Sequence, residues 1–259
     1  MTDHAHALTR AEQKRVRELH SKKGRREHGA FLVEGRKSVL ELLASDWPVL
    51  AVYATHDAAP GFHAAASARG LEVISVSTGL LTSLSTFEHN EHALAIAGQR
   101  TASLQPLRAG ELTLALDDIR DPGNLGTIWR LADWYGVRQI VCSATTSERS
   151  NPKVISASMG SFLRVPVVEV DLPLWLASQR QAGTPVLGAV LDGESAHAAG
   201  KPWREGVLVI GNESQGLSPA VAAQLTRRLS IPRFGQAESL NAAVATGILL
   251  DGWRRQLAG

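Results

Sequence analysis

The sequence predicts an α/β protein, and three observations carry that prediction. Short apolar runs that read as strands alternate with segments of helical period along most of the chain. Hydrophobic residues make up 44% and charged residues 20%, a globular balance with enough apolar material for a buried sheet. One stretch, residues 98–110, has no clear period, contains Pro106 and two glycines, and interrupts the alternation.

The elements follow in order. Residues 9–20 place Val16 and Leu19 among charges and read as a surface helix; the basic run Ser21–Arg26 reads as a loop. Phe31–Val33 is a short strand, Ser38–Leu43 a helix, Val49–Tyr53 a strand, 62–69 a helix, and Leu71–Val76 and Ala93–Ala97 strands. Residues 1–97 thus form a small α/β domain, 98–110 a linker and 111–259 a second domain. In the second, strands at 112–117, 138–142, 165–169, 185–190, 206–210 and 228–231 are interleaved with helices at 124–135, 152–160, 173–181, 218–224 and 239–255. Such alternation argues a parallel sheet covered on both faces.

Composition narrows function. The net charge of +2 is unevenly spread: residues 1–37 hold ten Lys/Arg against five acids, leaving −3 for the remainder. A basic end on a near-neutral body points to a polyanion partner. The candidate RNA contacts are Arg15, Lys22, Lys23, Arg25, Arg26 and Arg36, against the plainer reading of a solvated helix face. The single cysteine, Cys142, excludes an intramolecular disulfide, fits a reducing cytoplasm and reads as a core thiol. Met1-Thr2-Asp3-His4 carries no apolar signal core, and no run is long enough to span a membrane. No phosphate loop, no G-x-G-x-x-G and no Cys/His metal spacing is present. The run Phe87-Glu88-His89-Asn90-Glu91-His92 could hold a metal on paper and reads better as a loop, so no metal is expected.

Three segments carry the chemistry. Asn124 follows the turn residues Pro122 and Gly123 where a helix cap is wanted, and Arg130 lies six residues on, beside an apolar stripe. Gly211-Asn212-Glu213-Ser214-Gln215-Gly216 follows strand Val207–Ile210, with glycines that permit close backbone approach or positive φ. Ile231-Pro232 ends a strand, and Ser239-Leu240-Asn241 opens a helix with Ser239 as the expected cap. Taken singly, each fits an ordinary loop.

Together, in this order, the three resemble the motifs of the SpoU/TrmH group of the SPOUT superfamily, the S-adenosylmethionine-dependent RNA 2′-O-ribose methyltransferases. Asp121–Asn124 through Asp133 resembles the first, Val209–Glu213 through Leu217 the second, and Ile231-Pro232 with Ser239–Ala245 the third. Asn151-Pro152-Lys153 with Ser158–Ser161 resembles a further family segment. Leu19–Gly24 with Phe31–Gly35 is similar to the start of the family's L30e-like substrate-binding domain.

The resemblance implies an L30e-like α/β N-terminal domain, a parallel-sheet SPOUT domain with a C-terminal trefoil knot, and a homodimer with a shared active site. It implies donor contacts at Ala189, Ile210, Gly211, Gly216, Ile231 and Leu240, and catalytic or organising roles for Asn124, Arg130, Glu213, Ser239 and Asn241. The acceptor it implies is RNA, ribosomal in preference to transfer RNA. Trp129, the loop Arg233–Glu238 and the run Glu88–His92 depart from the family pattern. A non-catalytic RNA-binding protein on the same scaffold, and a methyltransferase acting on a base, remain open alternatives.

Overall fold

The computed structural model describes residues 8–90, 92–198 and 202–258, so the expectations at Met1–His4 and Glu91 lie outside the described residues. The chain forms two compact units, Met1–Arg100 with Ser150–Leu163, and Thr101–Arg149 with Arg164–Gly259.

The first unit is built on a mixed four-stranded sheet of β1 (Ala30–Glu34), β2 (Val49–Thr55), β3 (Val73–Val76) and β4 (Ala93–Gly98), in the order β1-β4-β2-β3. β4 runs antiparallel to both neighbours and β2–β3 is parallel. Helix α1 (Arg10–Glu18) starts at a Thr9–Glu12 capping box and buries Val16, which joins Leu19, Leu32, Tyr53, Leu94 and Ile96 in the core.

The basic run expected as a loop is instead helix α2 (Lys22–His28). Ser21 caps its start by accepting from the Gly24 N–H, and Gly29 in the left-handed region ends it. Gly24 serves close packing: a Cβ there would collide with the Glu18 carbonyl. Helices α3 (Arg36–Ala44), α4 (Pro60–Ser67) and α5 (Thr78–Leu84) complete the first 100 residues. The α5 segment is rich in Ser, Thr and Gly and carries no strong helical period, yet Ser77 caps it and Leu81 and Leu84 are buried.

Buried Glu34 ends β1 and holds the loop that follows α5. Its carboxylate accepts from the hydroxyls of Ser85 and Thr86, from the Thr86 N–H at 3.1 Å and from the Asn90 amide at 3.4 Å. Helix α7 (Pro152–Ser158) and a 3₁₀ turn at Ser161–Leu163 belong to this unit. Phe162 meets Phe31 and Trp47 edge-on, with ring centroids 5.9 and 5.6 Å away.

The second unit is a six-stranded, wholly parallel sheet in the order β10-β8-β9-β5-β6-β7. The strands are β5 (Leu112–Leu116), β6 (Ile140–Cys142), β7 (Val167–Glu169), β8 (Val186–Ser195), β9 (Gly206–Ile210) and β10 (Arg227–Ser230). Ala115, Val207 and Val209 pack with Leu172 and Leu176 of helix α8 (Leu172–Gln181) and Val221 of helix α9 (Pro219–Ala222). Leu114, Leu116, Leu208 and Ile210 alternate with them and are also buried, so both faces are covered. Helix α6 (Pro122–Trp134) packs against helix α10 (Ala242–Ala258). The stretch after β4 is tied to this unit: Gln139 bonds residue 105 in both directions, at 2.9 and 2.8 Å.

Candidate active site

The site lies at the carboxyl ends of β5, β9 and β10 and against the middle of β8; the carboxyl ends of strands are where open parallel sheets build ligand sites. Two expected caps are corrected here. Asp121, not Asn124, caps α6: its carboxylate accepts from the Asn124 N–H at 2.8 Å, with Pro122 in the first turn. Asn241, not Ser239, caps α10, accepting from the N–H groups of Ala243 and Val244 at 2.9 and 3.2 Å. An Asp just before Pro122, and an Asn just before Ala242, outcompete the positions expected from spacing.

Relieved of capping, the Asn124 side chain joins the three motifs. Its amide N–H donates to the Glu213 carboxylate, and its carbonyl accepts from the Asn241 amide at 2.8 Å. Glu213, Asn124 and Asn241 therefore form one hydrogen-bonded row, although residues 124 and 241 lie 117 positions apart in sequence.

The loop bearing Glu213 is held from below. Asn212 and Gly216 bond each other through their backbones, both at 2.9 Å. Gly216 takes φ +68°, and a Cβ on Gly211 would collide with the Gly216 carbonyl group. The Asn212–Gly216 pairing, with Gly211 close against Gly216, therefore closes the loop on itself. The Asn212 side chain accepts from the Ser214 and Gln215 N–H groups and donates to the Asp118 carbonyl at 2.9 Å. Asp118 adopts φ +60°, uncommon for a residue with a Cβ, and Asp117 accepts from the Ser218 N–H at 2.7 Å. Asp117, Asp118 and Asn212 are thus organising residues absent from the expected set. An Asn beside Gly, and paired acids at a strand end, were the available signals.

A cavity of about 740 Å³ opens beside this row. Its lining includes all six expected donor contacts, Ala189, Ile210, Gly211, Gly216, Ile231 and Leu240, together with Glu213 and Ser239. The volume falls in the roughly 300–1,000 Å³ range of small-molecule sites. Apolar Ile210, Leu217, Ile231 and Leu249 suit a nucleoside, and the polar lining by Asn212 and Ser214 suits its hydroxyl and amino-acid groups. Both features fit S-adenosylmethionine. Asp192 and Arg228 also line the cavity and pair with each other, which holds the Asp192 carboxyl below its ordinary range.

Arg130 is not on this lining. It is exposed, and among the described residues it has no ion-pair or hydrogen-bond partner. Asp133, three residues further on, is bound by Arg164 at 2.8 Å. Of the expected RNA contacts, Arg15, Lys22, Lys23, Arg26 and Arg36 are exposed. Arg25 is not: it is 2% exposed and donates to the carbonyls of Leu19 and His20 at 2.9 and 2.8 Å, fastening α1 to α2. Cys142 is buried, which pushes its thiol up to about 12. Among the described residues no helix is long and apolar enough to cross a membrane.

Residues 111–251 match the SpoU rRNA Methylase family, and residues 11–95 match the MRM3-like substrate binding domain. The chain is 29% identical to a 23S rRNA (guanosine(2553)-2′-O)-methyltransferase of Bacillus subtilis (strain 168), over 90% of this chain and 92% of that protein. It is 35% identical to a 23S rRNA (uridine(2479)-2′-O)-methyltransferase of Streptomyces viridochromogenes, over 60% of this chain and 56% of the relative. The AdoMet-bound structure of an rRNA methyltransferase from Sinorhizobium meliloti superimposes with a TM-score of 0.85 at 32% identity, covering 97% of each chain. The chain belongs to the SpoU rRNA methylase family, the S-adenosylmethionine-dependent RNA 2′-O-methyltransferases.

Proposed function

We propose that this protein methylates a ribose 2′-hydroxyl of ribosomal RNA, with residues 1–97 as its L30e-like RNA-binding domain, 98–110 as a linker and 111–259 as its catalytic domain, apart from 150–163, which pack with the first unit. One observation carries the reading: Glu213, Asn124 and Asn241 form a single row beside the cavity that collects the donor-contact residues. The ribosomal acceptor is favoured by the 23S rRNA enzymes among the relatives.

S-adenosylmethionine supplies an electrophilic methyl group. The protein's part is to hold the hydroxyl in line and to stabilise charge as its proton passes to water and the donor leaves as a neutral thioether. Glu213, fixed by Asn124, orients the ribose, and Ser239 shapes the cavity wall. A guanidinium stays protonated at any working pH, so Arg130 does not serve as the base. It grips the neighbouring phosphate and stabilises the developing oxyanion. Its position off its own cavity, exposed and without a described partner, supports a homodimer in which Arg130 of one protomer completes the site of the other.

The knotted topology belongs to the same proposal. It is supported by the strand order, in which β10 lies beside β8 and α10 returns to pack on α6. A single cysteine and an RNA acceptor support a cytoplasmic setting.

The test is transfer of labelled methyl from S-adenosylmethionine to ribosomal RNA from cells lacking the protein, followed by nucleoside digestion. The label should appear as a 2′-O-methylnucleoside. Label on a base, or RNA binding without transfer, overturns the proposal.

A further inference from the structure

We propose that the Phe234 ring is the platform on which the base of the methylated nucleotide stacks. This rests on the cavity being the methyl-transfer site, and it adds the means by which the acceptor nucleotide is held.

Phe234 is 96% exposed, more than any other large apolar side chain among the described residues. It is also the sole aromatic residue among those lining the cavity. Its loop, 231–241, is fixed at both ends: β10 precedes it, and Asn241, hydrogen-bonded to Asn124, closes it. Arg233 folds back onto the same loop, its guanidinium donating to the Ala237 carbonyl at 3.4 Å. Arg228, at the same cavity, is occupied by Asp192. The loop therefore presents a ring to the cavity while two nearby cations are engaged with protein groups.

The reaction gives that ring an occupant. A ribose must be drawn into the cavity for its hydroxyl to meet the donor, and its base then loses the neighbours on which it stacked. An aromatic face replaces that lost stacking whatever the base, because every base has a π-face. Leu191 and Leu240 line the same cavity, but neither has a π-face.

The test compares Phe234→Ala, Phe234→Leu and Phe234→Trp in the full-length protein. Transfer is measured on ribosomal RNA from cells lacking the protein, donor affinity by calorimetry with S-adenosylmethionine, and oligomeric state by sedimentation. Phe234→Ala and Phe234→Leu should each lower kcat/KM for RNA by about 5- to 150-fold, the usual worth of one stacked base, and Phe234→Trp should retain it. Donor affinity and oligomeric state should not change. On the shortest methylated fragment of that RNA, with the target base removed and its ribose kept, wild type and Phe234→Ala should turn over equally.

Full activity in Phe234→Leu overturns the inference. So does a parallel loss of donor affinity, which would assign the ring to the donor, or a change in oligomeric state, which would assign it to an interface. Absence of transfer by the wild-type protein overturns the catalytic reading itself, and this inference falls with it.

Discussion

Asn124 grips Glu213 with its amide nitrogen and Asn241 with its carbonyl, so rotating it forfeits both partners. Asn124→Ala should destabilise the protein by about 1–3 kcal/mol and lower methyl transfer, read by thermal unfolding and a turnover assay. Asn124→Asp should be worse, because it sets a second carboxylate against Glu213; equal turnover in the two variants would remove the amide from the site. Arg130→Ala should cost turnover about 10²–10³-fold, as for loss of one oxyanion donor, and leave donor affinity unchanged. Cys142 offers a control. With its thiol at about 12, iodoacetamide at pH 8 should modify it only after denaturation. The linkage has a definite sign. Folded and unfolded thiols are both protonated below about 9, so stability is unaffected there and falls as pH rises from 9 toward 12. Asn124 and Asn241 were singled out by the resemblance of their motifs, and the structure brings their side chains together. Their mutual bond was not legible in the sequence, because nothing in local spacing links positions so far apart. Arg25 failed for a related reason: charge alone does not tell a guanidinium that faces solvent from one satisfied by buried carbonyls.

The loop between β9 and α9 depends on two glycines for different reasons. Gly216 needs its positive φ, and Gly211 needs the absence of a Cβ against the Gly216 carbonyl group. Gly216→Ala should cost about 1–2 kcal/mol, the ordinary penalty of the left-handed region. Gly211→Ala must open the loop, so it should cost more and weaken S-adenosylmethionine binding by at least about tenfold, a figure of about 1.4 kcal/mol, measured by calorimetry. Undiminished donor affinity in that variant would separate the loop from the donor. Strands were the most legible elements, since Val, Leu and Ile dominate β5, β6 and β9 and both faces are buried. Helix ends were the least legible, because Asp121 and Asn241 compete for the cap with residues two or three positions away. Helix α2 was hidden because Lys, Arg and Gly resemble a loop, while its caps, Ser21 and Gly29, are helix signals.

At the scale of the molecule, the +5 charge of residues 1–37 predicts RNA affinity that falls steeply with salt. Replacing Arg15, Lys22, Lys23, Arg26 or Arg36 with Ala should each reduce the slope of log affinity against log salt by about 1. Arg25→Ala should instead lower the melting temperature and leave the slope unchanged, because its guanidinium is spent on carbonyls. A slope unmoved by all five replacements would place RNA elsewhere. The alternation of strands and helices showed an α/β protein. It did not show that residues 150–163 join the first 100, because a linear reading divides a chain only at its weak points. That discontinuity governs how such a protein can be recombined. A chimaera spliced at residue 100 alone would strand Phe162 before a stranger's Phe31 and Trp47 equivalents. Exchanging the first 100 residues between cousins therefore requires a second graft, in the middle of the gene.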